Sequence, residues 1–195
     1  SNISTISIVS SGRLAEVATR LGASAIVAEG GEAGGHLGTF RTLKEVFREV
    51  RGATDLPVIA AGGIVTGEDA AEFFALGADG VQLGTRFVAS FECAADDAFK
   101  RAHLNLKEED IVIIESPVGM PGRAIRNRFT DGLQGVESWE RLNCSGCLKH
   151  CSRQYCILEA LALAQKGDVE NGVLFTGTGA TRISRIMSAK DIIAE

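Results

Sequence analysis

The residues with the most chemical promise stand in one short stretch, Ala28-Glu29-Gly30-Gly31-Glu32-Ala33-Gly34-Gly35-His36-Leu37-Gly38. Five glycines in nine residues leave little side-chain wall around a single imidazole. Glycine allows positive φ and lets backbone approach a ligand closely. Histidine changes charge near neutral pH, which makes His36 a candidate general base. The plain alternative is an exposed loop histidine with no task. Glu29 and Glu32 invite a carboxylate pair for acid–base or metal work, but no further ligand spacing accompanies them. Two later turns, Gly62-Gly63 and Gly84-Thr85, can offer backbone N–H groups to an anion. Singly each reads as an ordinary strand-to-turn transition; paired on consecutive strands they favour a phosphate. Arg86 and Arg123 are candidates to support that anion, or are simply solvated. A last cluster runs Cys144-x2-Cys147-x3-Cys151-x4-Cys156, with Cys93 apart. Four thiolates there could hold zinc or an iron–sulfur cluster. The spacing matches neither a two-knuckle zinc site nor a ferredoxin run, and a set of reduced, packed thiols remains open. His103 reads as a surface-helix residue and His150 as part of a solvated turn.

Strands and helices must hold these groups. Ile6–Val9 is a short strand. A helix over Arg13–Leu21 places Leu14, Val17, Ala18 and Leu21 on one face, and Gly22 ends it. Ala25–Ala28 is a buried strand that runs into the glycine loop. The next helix carries Leu43, Val46, Phe47 and Val50 inward. Pro57–Ala61 is the third strand, and Thr66 caps a helix with Ala70, Phe73 and Phe74 inward. Gly80–Leu83 is the fourth strand. Apolar strands separated by amphipathic helices call for a parallel sheet with helices on its faces. Further on come a charged helix over Asp96–Leu106, a strand at Asp110–Ile114, a Pro/Gly turn, and a helix with Ile157, Leu158 and Leu161 inward. The turn Thr176-Gly177-Thr178-Gly179-Ala180 precedes a last helix.

A (β/α)8 barrel and an open doubly wound sheet both fit this order. Paired glycine turns on adjacent strands favour the barrel, whose phosphate site lies after strands 7 and 8. The open sheet would more often use one G-x-G-x-x-G loop, which is absent from the sequence. Ile6–Val9 then becomes strand 5, so the fold class expected is α/β: the C-terminal portion, about strands 5–8, of a barrel with an appended α-rich segment. Composition adds little basic character. The net charge is −5 and both signs are interspersed, which disfavours nucleic acid. No run approaches the ~20 apolar residues of a membrane span, so a soluble, cytoplasmic protein without membrane partners is expected. The oligomeric state stays open.

Four segments in order resemble the nitronate monooxygenase family, formerly called 2-nitropropane dioxygenases, which includes flavin-dependent enoyl-acyl-carrier-protein reductases. They are Glu29–His36, Pro57–Ile64, Gln82–Phe87 and Ser116-Pro117-Val118-Gly119-Met120-Pro121-Gly122-Arg123. The resemblance implies an FMN-binding barrel. It places the FMN phosphate on the backbone around Gly62, Gly63, Gly84 and Thr85. Glu32, Gly34 and Gly35 would approach cofactor or substrate, and His36 falls where the family keeps its active-site histidine. Residues 1–110 would be the FMN-binding barrel half, and 111–195 a cysteine-containing segment over its mouth. The expected function is oxidation of alkyl nitronates with O2. The alternatives are an enoyl-thioester reductase with NAD(P)H as reductant and, from another class, a non-catalytic flavin- or phosphate-binding module.

Overall fold

The structure, a computed structural model, describes residues 3–133, 144 and 146–195. Its first half alternates strand and helix: β1 (Ile6–Val9), α1 (Gly12–Arg20), β2 (Ala25–Glu29), a two-residue β3 (Gly35–His36), α2 (Leu43–Ala53), β4 (Val58–Ala61), α3 (Gly67–Ala75), β5 (Gly80–Gln82) and a one-turn α4 (Thr85–Val88). The remainder comprises α5 (Asp97–Ala102), β6 (Ile111–Glu115), β7 (Pro121–Ile125), α6 (Arg128–Gly132), α7 (Ile157–Gln165), a 3-10 turn at Thr178–Arg182 and α8 (Ala189–Ala194).

Strands β1, β2, β4 and β5 lie side by side in that order, every pair parallel. Ile26 faces Val58 across the β2–β4 ladder, and Ile59 faces Gly80 across β4–β5. The four expected strands are therefore present and pair as a barrel arc requires. Burial explains the apolar runs of the two inner strands β2 and β4. Ile26, Val27 and Ala28 are all buried, so β2 has no wet face. At the edge strand β1, by contrast, Ile6 and Ile8 are exposed.

Helix α2 is the central packing element. Thr42 and Glu45 form a capping box, each satisfying an N–H of the first turn. Leu43, Val46, Phe47 and Val50 are buried in one core with Ile26, Ala28, Val58 and Ala60, the face expected from periodicity. Thr66 caps α3 as anticipated, with Asp69 closing the box. Only Phe73 of its two phenylalanines is buried; Phe74 points outward.

The face of α1 differs from the expected one. Leu14 and Leu21 are exposed, while Gly12 and Ala15 are buried. A Cβ on Gly12 would stand 2.9 Å from Glu49 Cγ and 3.2 Å from Ala53 Cβ. Small residues let α1 and α2 approach closely, and that geometric requirement overrides the leucine periodicity. Helix α7 behaves the same way. Ile157, Ala160 and Ala164 go inward, and Leu158 faces out. A Cβ on Gly172 would meet Ala164 N at 2.5 Å, so small residues again line the contact.

The second sheet has the order β3-β7-β6, all antiparallel. The region expected as a Pro/Gly turn is half turn and half strand, because Pro121–Ile125 pairs with both the glycine loop and β6. Gly122 lies opposite His36, and a Cβ there would come within 2.8 Å of the Phe175 ring. A second core of Ile114, Ala124, Tyr155, Ile157, Ala160 and Val173 lies behind this sheet.

Candidate active site

The carboxyl ends of β2, β4 and β5 open on a cavity of about 360 Å³. Glu29, Gly34, Gly35, Gly62, Gly63, Gly84 and Thr85 line it, together with Gln82 and Phe175. The two glycine turns expected to share one ligand therefore border one space. Gly62 and Gly63 adopt φ of +117° and +72°, a backbone that L side chains rarely accept. At Gly84 a Cβ would meet no protein atom within 4 Å. This glycine leaves room in the cavity, whereas Gly63 is required by its conformation and by Glu32, whose Cβ would lie 2.9 Å away.

The roof comes from far along the chain. Gly177 and Gly179 line the same cavity. Gly177 N–H donates to Thr85 Oγ1 at 3.0 Å, and Thr178 N–H donates to the Glu32 carbonyl at 3.0 Å. Arg182 pins this turn with Nη2 on the Gly63 carbonyl at 2.8 Å and Nη1 on Asp69 at 2.7 Å. Burial alone would raise the Asp69 pKa. The Arg182 bond and the Val65 and Thr66 N–H groups outweigh it and hold the carboxyl below its ordinary value.

Several polar side chains of the loop serve the framework. The Glu32 carboxylate accepts the Leu43 N–H at 2.8 Å, filling an orphan donor at the start of α2. Arg123 donates to the carbonyls of Ala33 and Gly31, so it clamps the glycine loop. Arg86 is 5% exposed, and its guanidinium bonds the Ala89 and Arg185 carbonyls and Met187 Sδ. Neither arginine matches the anion-supporting or solvated roles considered for it. His103, expected on a surface, is fully buried at the end of α5 between the carbonyls of Phe99 and Phe175.

His36 sits beside the cradle. Gly35 lines the cradle, but the imidazole lines a neighbouring cavity of about 320 Å³ with Val118, Leu148, Tyr155, Leu158 and Leu161. Phe175 stands between, its ring edge-on to the imidazole with centroids 5.2 Å apart. Nε2 of His36 lies 2.7 Å from Ser116 Oγ. Partial burial pushes the imidazole pKa below its ordinary value, favouring the neutral form. Burial has the opposite sign for the Glu29 carboxyl and raises its pKa.

Cys144, Cys147, Cys151 and Cys156 all border the His36 cavity, and all are free thiols. Among the described residues, no group of three or more His, Cys, Asp or Glu side chains is arranged to hold a metal ion. His150 is exposed, in keeping with a solvated turn.

A family model described as nitronate monooxygenase matches residues 1–195. The chain belongs to the nitronate monooxygenase family. A probable nitronate monooxygenase of Staphylococcus aureus strain Newman is 38% identical over 127 residues, covering 60% of this chain and 36% of the relative. FabK from Thermotoga maritima superposes with a TM-score of 0.85 at 35% identity, over 98% of this chain and 58% of that one. A nitroalkane oxidase from Streptomyces ansochromogenes superposes with a TM-score of 0.78 at 29% identity, over 98% and 55%. The chain thus spans little more than half the length of these two solved chains, which accords with a partial barrel. Among the described residues no helix is long and apolar enough to cross a membrane.

Sequence reasoning missed Gln82, Phe175, Gly177, Gly179 and Tyr155 as parts of the two cavities, and Ser116 as the hydrogen-bond partner of His36. The signal for the roof was present: Thr176-Gly177-Thr178-Gly179 repeats the Gly-Thr chemistry of Gly84-Thr85. Phe175 carried no comparable signal, because an isolated aromatic reads as core.

Proposed function

We propose that this chain forms the phosphate cradle and base-bearing wall of an FMN-dependent oxidoreductase that oxidises alkyl nitronates with O2. The observation that carries this reading is a glycine-walled cavity at the strand ends, one aromatic ring away from a partly buried histidine. Its volume falls within the ~300–1,000 Å³ of small-molecule sites. The residues suit FMN: Gly62, Gly63, Gly84 and Thr85 would hold its phosphate through main-chain N–H groups, with Gly34, Gly35 and Glu32 on the neighbouring loop. Bound FMN would supply the redox chemistry that no side chain here provides.

The chain's own residues do the rest. Arg123 and the Thr178–Arg182 turn hold the two loops in register. Phe175 presents an apolar face and keeps water from that side. His36, neutral over most of the working range, takes the α-proton of a neutral nitroalkane or orients a nitronate that has already lost it. Carbon acids need a base within hydrogen-bond reach, and effects of 10²–10⁴-fold are typical.

A second reading has its own support. The walls around His36 are carbon and sulfur, and such a cavity suits an alkyl chain better than a compact nitronate. That favours reduction of an enoyl thioester, with NAD(P)H as reductant. Two assays on the FMN-loaded protein separate the readings. O2 uptake with an alkyl nitronate, and no NAD(P)H oxidation with an enoyl thioester, is expected. The reverse pattern replaces the first reading with the second. Bound FMN with neither activity leaves a binding module.

A further inference from the structure

The inner face of the parallel sheet carries one polar row. Side chains alternate along a strand, so Ile26 and Ala28 pack against α2 while Val27 and Glu29 project to the opposite face. In β4 the helix side takes Val58 and Ala60, and in β5 it takes Val81. Ala61 and Gln82 therefore share the face of Glu29. The register sets the three abreast: Glu29 stands opposite Ala61, and Ala61 opposite Gln82. One layer below, Val27, Ile59 and Gly80 occupy the same face with no polar side chain. Adjacent strands lie ~4.8 Å apart, so a carboxyl and an amide flank an alanine across roughly 10 Å. All three residues line the cavity at the strand ends.

The framework uses neither polar group of this row. The Glu32 carboxylate is taken by the Leu43 N–H, and the Arg182 guanidinium by Asp69 and the Gly63 carbonyl. Among the described residues, the side chains of Glu29 and Gln82 have no hydrogen-bond or ion-pair partner. Burial raises the pKa of the Glu29 carboxyl, and no neighbouring charge opposes that shift. An ionised carboxyl accepts hydrogen bonds only, and it repels a phosphate. An amide both donates and accepts. A hydroxyl-bearing chain laid over Ala61 can satisfy both ends of the row, whereas a bare alkyl chain would leave both unpaired. We infer that Glu29 and Gln82 form a hydroxyl-reading pair that, with Ala61 as the floor between them, binds the polyol chain of a phosphorylated ligand and turns its phosphate away from β2. This rests on the reading of the cradle as an FMN site and deepens it. The segment read is the ribityl chain, whose hydroxyls lie between the ring and the phosphate. The role of the pair is recognition, and neither residue transfers a proton.

Quenching of flavin fluorescence on the protein freed of cofactor tests this without turnover. The probes are FMN, riboflavin, and FMN analogues in which one ribityl hydroxyl is replaced by hydrogen. The wild type should bind FMN at least about tenfold more tightly than one of the deoxy analogues, the worth of one hydrogen bond to a charged group. Glu29→Ala should erase that preference. Glu29→Gln, which keeps a carbonyl acceptor, should retain most of it. Gln82→Ala should erase a preference at a different hydroxyl. Circular dichroism identifies the folded variants, and the analogue series on the wild type decides the matter if a variant does not fold. A wild type that binds FMN and every deoxy analogue equally overturns the pair. So does a preference that survives in folded Glu29→Ala and Gln82→Ala. A wild type that binds FMN no more tightly than riboflavin overturns the phosphate cradle on which the pair rests. Binding of FMN over riboflavin with no discrimination among the analogues leaves the cradle standing and removes the pair alone.

Discussion

At the ends of β4 and β5 the cavity wall is mostly main chain: glycines held in left-handed turns and a roof of glycine and threonine. Around His36 the wall is side chain: leucine, valine, isoleucine, four thiols and a tyrosine. The first cavity is lined by seven glycines and few polar side chains. The second offers apolar surface and an imidazole whose pKa burial lowers. Phe175 divides them. On the proposed reading, binding and selectivity fall to different materials, and substitutions in each should fail in different ways.

The largest expected effect lies in the side-chain cavity. His36→Asn should keep FMN bound and reduce turnover on a neutral nitroalkane by about 10²–10⁴-fold. The loss on the pre-ionised nitronate should be smaller, because its proton is already gone. Steady-state O2 uptake with both forms measures this, and equal, full activity on the two would refute the role. Because burial lowers the imidazole pKa, the neutral base should persist below the ordinary histidine value of 6.5. The acid limb of kcat/KM for the free enzyme should accordingly lie below that of an unperturbed imidazole.

The main-chain cavity should respond to bulk, with the position deciding the symptom. Gly84→Val enters open space, so it should weaken FMN binding by at least about tenfold, a loss of ~1.4 kcal/mol, with the melting temperature of the apoprotein little changed. Gly63→Val must adopt a strained φ and displace Glu32, so it should lower the apoprotein's stability by roughly 1–3 kcal/mol. Isothermal titration and thermal melts of the two variants separate cradle from framework. Identical behaviour would erase the distinction drawn between them.

The smallest effect belongs to the roof. Arg182→Ala removes a half-exposed ion pair and should cost about 1 kcal/mol or less. The sign of its pH dependence follows from Asp69. Its folded pKa is depressed, so the stabilisation is complete above the unfolded value and disappears as pH falls through the folded one. The gap between wild type and variant should be flat near neutrality and close below about pH 4. A gap that widens in acid would show that Asp69 is not its source.

The sequence was legible where burial was uniform and opaque where partners came from afar. Val58–Ala61 and Ala25–Ala28 are apolar on both faces, and only a parallel interior strand accounts for that. Leu14 and Leu21 misled because helix periodicity cannot reveal that Gly12 and Ala15 will meet another helix at close range. His103 and Arg86 misled for a related reason. Their burial is satisfied by main-chain carbonyls, above all Phe175 and Arg185, which leave no trace in local spacing. The glycine loop and its histidine could be singled out early, since five glycines in nine residues have few other uses. The division of labour across Phe175 could not, because it depends on a contact between segments remote in sequence.

That remoteness has a consequence for how the protein is made. Arg182 and Gly63 are 119 residues apart along the chain, and Gly177 and Thr85 are 92 apart. During synthesis the floor of the cradle emerges well before its roof, and domains form as their segments leave the ribosome. Until the Thr178–Arg182 turn arrives, Gly63 and Thr85 lack the cover that this turn supplies. If the proposed cradle holds FMN, capture would follow translation of the roof, and the cofactor would meet a finished site and not a nascent one.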